Sequence, residues 1–261
     1  MQYINVKGYA DELLDCVADE PKRGRLCIIT PGTDQASESY IKGKVKDCQR
    51  CGVDWVVIYA KTHEQLCHYI NAYNNDHHTA GIIVQLPLPA GLDAELYTNM
   101  IRDDKDVDGF KENSPFEPCT PEGIMYILQY EVGALEGKRA LIIGRGDLVG
   151  IPMLARLLNA NCTVTIAHSK TTNLDELLGC NDIIISATGK AGLVDLYKCR
   201  EAEIVIDVGV NRDENGKLCG DCYNFSDYYL PNLKVTPVPG GIGLMTRAML
   251  MEHMSMYRRA D

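Results

Sequence analysis

Residues 139–152 read RALIIGRGDLVGIP, and this stretch determines the fold predicted for the second half of the chain. An apolar run of strand length leads into a glycine-rich turn, and an apolar helical segment begins near Pro152. Glycines permit a tight turn and close ligand approach, and the positive end of a helix suits a pyrophosphate. The segment predicts a Rossmann-type domain. The dinucleotide site would include Gly144, Arg145, Gly146, Val149 and Gly150.

The end of the next predicted strand bears on the choice of dinucleotide. NAD-binding domains usually place a carboxylate there for the ribose hydroxyls, but this chain has His168, Ser169 and Lys170. Arg145 and Ser169 could donate to a ribose phosphate, which predicts NADP, with NAD as the alternative. The competing interpretation is that Arg145 and Lys170 are ordinary solvated cations.

Strand-like and helical segments alternate on both sides of this turn, the pattern of an α/β protein with parallel sheets. The proline-rich residues 109–121 predict a linker between two domains. We predict an N-terminal α/β catalytic domain, 1–119, joined by a C-terminal helix, 246–261, and a Rossmann-type domain, 120–245, with a cleft between them. The predicted strands are 26–30, 55–60, 81–86, 139–143, 162–167, 182–186 and 204–208, and the predicted helices are 37–51, 63–73, 152–160, 174–178 and 246–257.

Composition excludes several classes of function. A net charge of −10 over 261 residues disfavours nucleic acid as a partner. The sequence shows neither a signal peptide nor an apolar run of membrane-spanning length, so we expect a cytoplasmic protein without a membrane partner. The eleven cysteines are dispersed, which favours reduced thiols. The zinc-like pairs at 48/51 and 219/222 lack nearby histidines at ligand spacing, so we predict no metal.

Candidate catalytic residues lie in the first half. Tyr40 and Lys44 are four residues apart, so on a helix they share a face, whereas Lys42 points elsewhere. A lysine in a partly desolvated cleft can exchange protons at neutral pH, although a lysine in such a charged run is more often solvated. Gln85 ends a predicted buried strand and could orient a neighbouring side chain.

Two loop segments carry further candidates. Asp108 precedes a glycine in a predicted turn, where its carboxylate could bind the edge of an amidine-like ring; an ordinary solvated turn is the alternative. Residues 236–243 combine two prolines with three glycines, a backbone suited to close approach of a ligand.

Seven motifs in order resemble the methylenetetrahydrofolate dehydrogenase/cyclohydrolase family, and the resemblance runs from about residue 25 to residue 250. The most specific are VQLPLP at 84–89 and TPVPGG at 236–241. The others are SYIKGK at 39–44, DKDVDG at 104–109, PCTPEG at 118–123, GRG with VGIP at 144–152, and TIAHSK at 165–170.

The resemblance implies oxidation of methylenetetrahydrofolate with NADP and hydrolysis of methenyltetrahydrofolate by a homodimer. Lys44 matches the catalytic lysine, Tyr40 its neighbouring tyrosine, and Gln85 the glutamine that supports the lysine. Asp108 matches the aspartate that binds the pterin ring, and Arg145 and Ser169 match positions associated with the NADP phosphate. We also predict folate contacts from Leu86, Pro87, Pro239, Gly240 and Gly241, and cofactor contacts from Thr188, Gly189, Val210 and Gly241.

The chain departs from the family pattern in four places. The regions before residue 25 and from 109 to 119 are short, Leu244 replaces a proline, and Gly146 replaces a serine. A non-catalytic folate- or dinucleotide-binding descendant is therefore the alternative function, although the retained Tyr40, Lys44, Gln85 and Asp108 argue against it. A Rossmann oxidoreductase for a small acid would leave 84–89 and 104–109 unexplained.

Overall fold

The computed structural model describes residues 1–20, 24–31, 35–225 and 230–256, and shows an α/β protein of two compact units. Asp11–Cys119 and Arg247–Asp261 form one, here called the three-stranded unit. Met1–Ala10 and Thr120–Thr246 form the other, the six-stranded unit. This grouping places the first ten residues apart from the predicted domain 1–119, because Gln2–Tyr3 pairs in parallel with Lys234–Val235.

The helices and strands are numbered along the chain. The helices are α1 Val6–Asp19, α2 Gln35–Cys51, α3 His63–Asn75, α4 Ala94–Met100, α5 Cys119–Glu131, α6 Gly150–Asn159, α7 Leu174–Leu178 and α8 Ile242–Met256. The strands are β1 Gln2–Tyr3, β2 Arg25–Thr30, β3 Asp54–Tyr59, β4 Thr79–Val84, β5 Arg139–Ile143, β6 Thr163–Ala167, β7 Ile183–Ser186, β8 Val194–Asp195, β9 Ile204–Asp207, β10 Asn211–Arg212, β11 Leu218–Cys219, β12 Cys222–Tyr223 and β13 Lys234–Val235.

The six-stranded unit is built on a parallel sheet of order β1-β13-β9-β7-β5-β6. Its central strands β5, β7 and β9 are almost entirely buried and mostly apolar, as expected for a parallel sheet covered on both faces. The outer strands β1 and β6 are more exposed. From β5 the chain passes to β6 on one side and later to β7 on the other. The carboxyl ends of β5 and β7 therefore flank a topological switch point, where ligands of such sheets bind.

The three-stranded unit has a parallel sheet of order β3-β2-β4. Its core includes Ile29, Leu66, Ile70, Ile82 and Tyr97, contributed by strands and by α3 and α4. The helical spacing of Leu66 and Ile70 directs both towards the sheet. The carboxyl ends of β2 and β4 lie side by side, since Ile29 is in register with Val84.

Several predicted boundaries need correction. Strand β4 ends at Val84, so Gln85 and Leu86 lie just beyond it. Residues 119–121 of the predicted linker belong to α5, because proline is tolerated in the first turn of a helix, where amide donors are unpaired anyway. Helix α8 starts at Ile242, four residues before the predicted start. The predicted end of that helix at 257 and of its domain at 261 lies outside the described residues.

Helices α1, α4 and α5 were not predicted. Helix α1 buries Val6, Ala10, Leu13, Leu14 and Val17, a helical spacing that its charged residues partly obscure. Among the described residues, no helix is both long enough and apolar enough to cross a bilayer.

Candidate active site and dinucleotide site

Lys44 lies on α2 and is only 4% exposed, so it is not a solvated cation. Its Nζ is 5.2 Å from the centroid of the Tyr40 ring, within range of a cation–π interaction. Lys42, two residues earlier on the same helix, is exposed. Helical spacing thus brings Tyr40 and Lys44 together, as the sequence predicted.

An ion pair that the sequence did not reveal lies beside Lys44. Arg247 of α8 places its Nε 2.8 Å from the Oδ2 of the buried Asp47. Burial raises the pKa of Asp47, and the neighbouring guanidinium opposes this effect. A Cβ on Gly43 would collide with Nη1 of Arg247, so a larger residue there would displace the guanidinium. No local signal could connect residues 200 positions apart.

Gln85 follows β4 and is 6% exposed. Its backbone amide donates to the Ile29 carbonyl at 2.8 Å, which ties it to the end of β2. Its Nε2 donates to the Leu86 carbonyl at 2.7 Å, and its buried Oε1 accepts no hydrogen bond from any described residue. A buried acceptor without a partner is costly, so this oxygen is poised for a donor from a ligand or a moving side chain.

Asp108 lies in a turn in which the Gly109 amide donates to the Asp106 carbonyl at 3.3 Å. Its carbonyl accepts from the Cys119 amide at 3.2 Å, and the preceding Val107 carbonyl accepts from Nδ1 of the buried His253 at 2.9 Å. Hydrogen bonds therefore fix the backbone on both sides of Asp108. The half-buried carboxylate is left without a hydrogen-bond donor among the described residues and can receive one from a ligand.

The glycine turn has the geometry of an anion cradle. Gly144 adopts φ +113°, and a Cβ there would collide with the Ala187 carbonyl oxygen. A Cβ on Gly150 would collide with the Gly144 carbonyl, whereas Gly146 faces open space. Helix α6 has no side-chain hydrogen bond at its N-cap, Val149. The Ile151 amide donates to the Gly146 carbonyl at 3.1 Å and Pro152 has no amide hydrogen, so the Gly150 amide is the donor of the first turn that remains available to an anion among the described residues. These features fit a dinucleotide pyrophosphate.

The end of β6 lies beside this turn, since Ile143 pairs with Ala167 and the Gly144 amide donates to the Ala167 carbonyl at 2.9 Å. The following segment forms a turn in which the Thr171 amide donates to the His168 carbonyl at 2.8 Å. Ser169, Lys170 and Arg145 are all exposed. Hydroxyl and cationic donors therefore follow adjacent strand ends, without a carboxylate at 168–170.

Three other predicted positions surround the carboxyl edge of the six-stranded sheet. Thr188 and Gly189 follow β7, where the Ala187 amide donates to the Ile143 carbonyl at 2.8 Å. Val210, after β9, is 70% exposed. The loop after β7, which carries Thr188 and Gly189, therefore lies directly against the glycine turn.

The segment 236–241 joins β13 to α8. Pro239 and Gly240 are exposed, and Gly240 has φ +92° with open space at its Cβ position. Gly241 is buried, and a Cβ there would collide with the Pro237 carbonyl oxygen. Leu86 is half-buried and Pro87 is exposed at the end of β4.

Among the described residues, no group of three or more His, Cys, Asp and Glu side chains could hold a metal ion.

Two family models match the chain over most of its length. The catalytic domain of tetrahydrofolate dehydrogenase/cyclohydrolase matches residues 5–108, and the NAD(P)-binding domain of the same family matches residues 118–260. Two curated proteins, each named bifunctional protein FolD, are similar over 96% of this chain and 94% of their own length. They come from Methanoculleus marisnigri, at 42% identity, and Listeria innocua serovar 6a, at 41%.

Solved structures give the same result. The bifunctional FolD methylenetetrahydrofolate dehydrogenase/cyclohydrolase of Campylobacter jejuni is 36% identical, with TM-score 0.88 over 98% of this chain and 97% of that one. The Trypanosoma brucei enzyme, complexed with NADP and an inhibitor, is 28% identical, with TM-score 0.89 over 99% and 97%. The resemblance inferred from the motifs is confirmed: this chain belongs to the tetrahydrofolate dehydrogenase/cyclohydrolase family.

Proposed function

We propose that this chain oxidises methylenetetrahydrofolate to methenyltetrahydrofolate with NADP and hydrolyses the methenyl compound to 10-formyltetrahydrofolate. The observation that carries the proposal is the buried Lys44 against the Tyr40 ring, in a chain of a family named for both activities. A non-catalytic binding protein would have no need to keep a lysine buried at this position.

The contact of Lys44 with Tyr40 and the open acceptor of Gln85 support a role of Lys44 in the hydrolytic step. Water adds to the methenyl carbon, loses a proton, and the five-membered ring opens as its nitrogen is protonated. Lys44 Nζ is the group that would move these protons. Gln85 Oε1 receives no hydrogen bond from the described residues and suits an ammonium or amine donor, so we propose that Gln85 orients Lys44. Tyr40 would pack beside the substrate and hold Lys44 through its ring.

The Asp108 carboxylate receives no hydrogen bond from the part of the chain that the structure describes, which supports its proposed role in binding the pterin ring. It can accept two parallel hydrogen bonds from the amidine-like edge of that ring. Leu86 and Pro87, at the end of β4, and Pro239, Gly240 and Gly241, before α8, are the other proposed folate contacts. The open space at Gly240 supports a close approach of the ligand to its backbone.

The glycine turn and α6 supply the proposed dinucleotide site, with Gly144, Arg145, Gly146, Val149, Gly150, Thr188, Gly189, Val210 and Gly241 as the backbone and side-chain contacts. When bound, the nicotinamide accepts the hydride that leaves the methylene carbon. Arg145 and Ser169 would bind the ribose phosphate of NADP. The absence of a carboxylate at 168–170 supports NADP over NAD, which remains the weaker alternative.

We further propose a cytoplasmic homodimer that serves one-carbon metabolism and thereby purine biosynthesis, without nucleic-acid or membrane partners. All eleven cysteines are free thiols, which supports a reducing compartment. Strand β3 forms an edge of its sheet, and Trp55 and Tyr59 on it are exposed, which supports a subunit interface there. We keep the division into domains 1–119 and 120–245, joined by 246–261, as a proposal.

Two absorbance assays test the function. Purified protein is mixed with methylenetetrahydrofolate and NADP, or NAD, and the reduced dinucleotide is followed; hydrolysis of methenyltetrahydrofolate is followed separately. We expect turnover in both assays and a lower KM for NADP than for NAD. A folded protein inactive in both assays would favour the non-catalytic alternative, and a lower KM for NAD would overturn the cofactor assignment.

A further inference from the structure

Asp221 is a fully buried carboxylate with no role assigned to it by the proposed mechanism. It lies just before β12, and its oxygens accept five hydrogen bonds. Ser186 Oγ, the Thr188 amide and Thr188 Oγ1 donate to Oδ2, at 2.8, 2.9 and 2.9 Å. The Lys190 amide and Asn211 Nδ2 donate to Oδ1, at 2.9 and 3.0 Å. Three of the five donors belong to the segment that leaves β7, and a fourth, Ser186, is the last residue of that strand.

Asp221 is itself fixed by a second buried carboxylate. Asp207, at the end of β9, accepts from the Asp221 and Gly209 amides, both at 3.0 Å, and from the Cys222 amide at 2.9 Å. No side chain larger than hydrogen fits beside this pair, since a Cβ on Gly209 would collide with Asp221 and one on Gly220 with Asp207. The carboxyl edge of β7 and β9 is therefore held by two connected acids.

The segment that Asp221 holds is part of the dinucleotide site proposed above. Ala187 lies against Gly144 of the glycine turn, and Thr188 and Gly189 follow it at the switch point between β5 and β7. Burial raises the pKa of Asp221, but its hydrogen bonds outweigh this effect and hold the pKa below its ordinary value. Asp221 therefore remains an ionised acceptor at neutral pH.

We infer that Asp221 is a positioning residue for the dinucleotide: it fixes Thr188–Lys190 in the conformation that receives NADP. This inference rests on the proposed function. It does not require Asp221 to touch the cofactor, because its carboxylate is saturated by protein donors. It predicts that loss of the carboxylate weakens NADP binding while the hydrolytic reaction, which uses no dinucleotide, continues.

The test is Asp221→Asn in the full chain. In either orientation the new Nδ2 faces a backbone N–H, that of Thr188 or that of Lys190, so the loop must move. We expect the Kd for NADP, measured by calorimetry, and the KM for NADP to rise at least about tenfold. Cyclohydrolase turnover and its KM for the folate should stay within about twofold of wild type, a change of under 1 kcal/mol.

Asp182→Asn is the matched control. Asp182 immediately precedes β7, at the opposite end of the strand, and accepts from the amide and side chain of Arg139. It should change stability without changing NADP affinity. Unchanged NADP affinity in Asp221→Asn, an equal loss of cyclohydrolase activity, or an equal NADP defect in Asp182→Asn would overturn the inference.

Ser186→Ala is a milder variant that tests the positioning role of Asp221 if Asp221→Asn does not fold. It removes one donor to Oδ2 and should raise the Kd for NADP several-fold; an unchanged Kd would overturn the inference. If the wild-type protein hydrolyses methenyltetrahydrofolate and binds NADP, the proposed function stands whichever result the variants give.

Discussion

At the scale of single residues, the chemistry depends on how α2 presents its lysines. Lys42 and Lys44 are two positions apart, so the helix turns one to solvent and the other inward. Lys44 then lies over Tyr40, and Asp47, one turn further along α2, pairs with Arg247 of α8. Lys44 is therefore part of a buried cluster, unlike the exposed Lys42.

Lys44→Met should abolish the hydrolytic step because methionine keeps the length of the side chain but carries no proton. We expect cyclohydrolase kcat to fall by about 10²–10⁴-fold, the usual contribution of a general acid or base. The circular dichroism spectrum and the affinity for NADP should be unchanged. Lys42→Met is the matched control and should retain full activity; wild-type ring opening by Lys44→Met would remove Lys44 from the mechanism.

At the scale of elements, the end of α3 depends on a buried cation. Lys105 is 3% exposed, and its Nζ donates to the carbonyls of Tyr73, Asn74 and Asp76 at 2.9, 2.9 and 2.8 Å. The first two carbonyls belong to the last turn of α3 and the third to its C-cap residue, where the helix end carries negative partial charge. Burial lowers the pKa of Lys105, but three acceptors match the three N–H donors of its ammonium. The same residue anchors the segment that leads to Asp108.

Lys105→Met should therefore lower the free energy of unfolding of the three-stranded unit by about 2–4 kcal/mol, because three buried carbonyls lose a charged donor. Urea unfolding followed by the fluorescence of Trp55, the one tryptophan of the chain, measures this unit directly. Lys61→Met, at an exposed position before α3, should change the value by less than about 0.5 kcal/mol. Equal stability of both variants would show that Lys105 contributes no net stabilisation.

At the scale of the whole molecule, the open edge of β3 is the strongest sign of self-association. Val56 and Ile58 pack against the core of their unit, and the alternate residues Trp55 and Tyr59 face outward with 38% and 55% exposure. A strand with apolar side chains and unpaired backbone groups invites pairing with a second copy, and a twofold axis would place the same edge on both partners.

Trp55→Lys should therefore disrupt the proposed homodimer, because lysine at the edge brings like charges together across a twofold axis. Sedimentation should give twice 28.9 kDa for the wild-type protein and a shift towards one chain for the variant. Tyr197→Lys, which changes an aromatic residue of similar exposure, 39%, in the six-stranded unit, should remain dimeric. A monomeric wild-type protein at micromolar concentration would contradict the proposal.

The α/β fold and the family could be predicted from the amino-acid sequence alone, because both depend on local patterns. These patterns are apolar runs of strand length, helical spacing in α2 and α3, and glycines at 144 and 150, where any larger side chain would collide with backbone. Short motifs also located Lys44, Gln85 and Asp108, although their roles remain proposals. The boundaries at Pro121 and Ile242 were wrong, because a helix can start with a proline in its first turn and can include a glycine.

Which polar groups are buried, and what they contact, could be seen in the tertiary structure but not in the sequence. Arg247 meets Asp47 across 200 residues, Lys105 reaches the end of α3, and Asp221 collects donors that lie 10 to 35 residues away. Such contacts produce no periodic pattern in the sequence, since each depends on where separate elements come together when the sheets form. Burial makes these contacts important for stability, because burying a charge or an amide costs free energy unless the fold supplies a hydrogen-bonding partner.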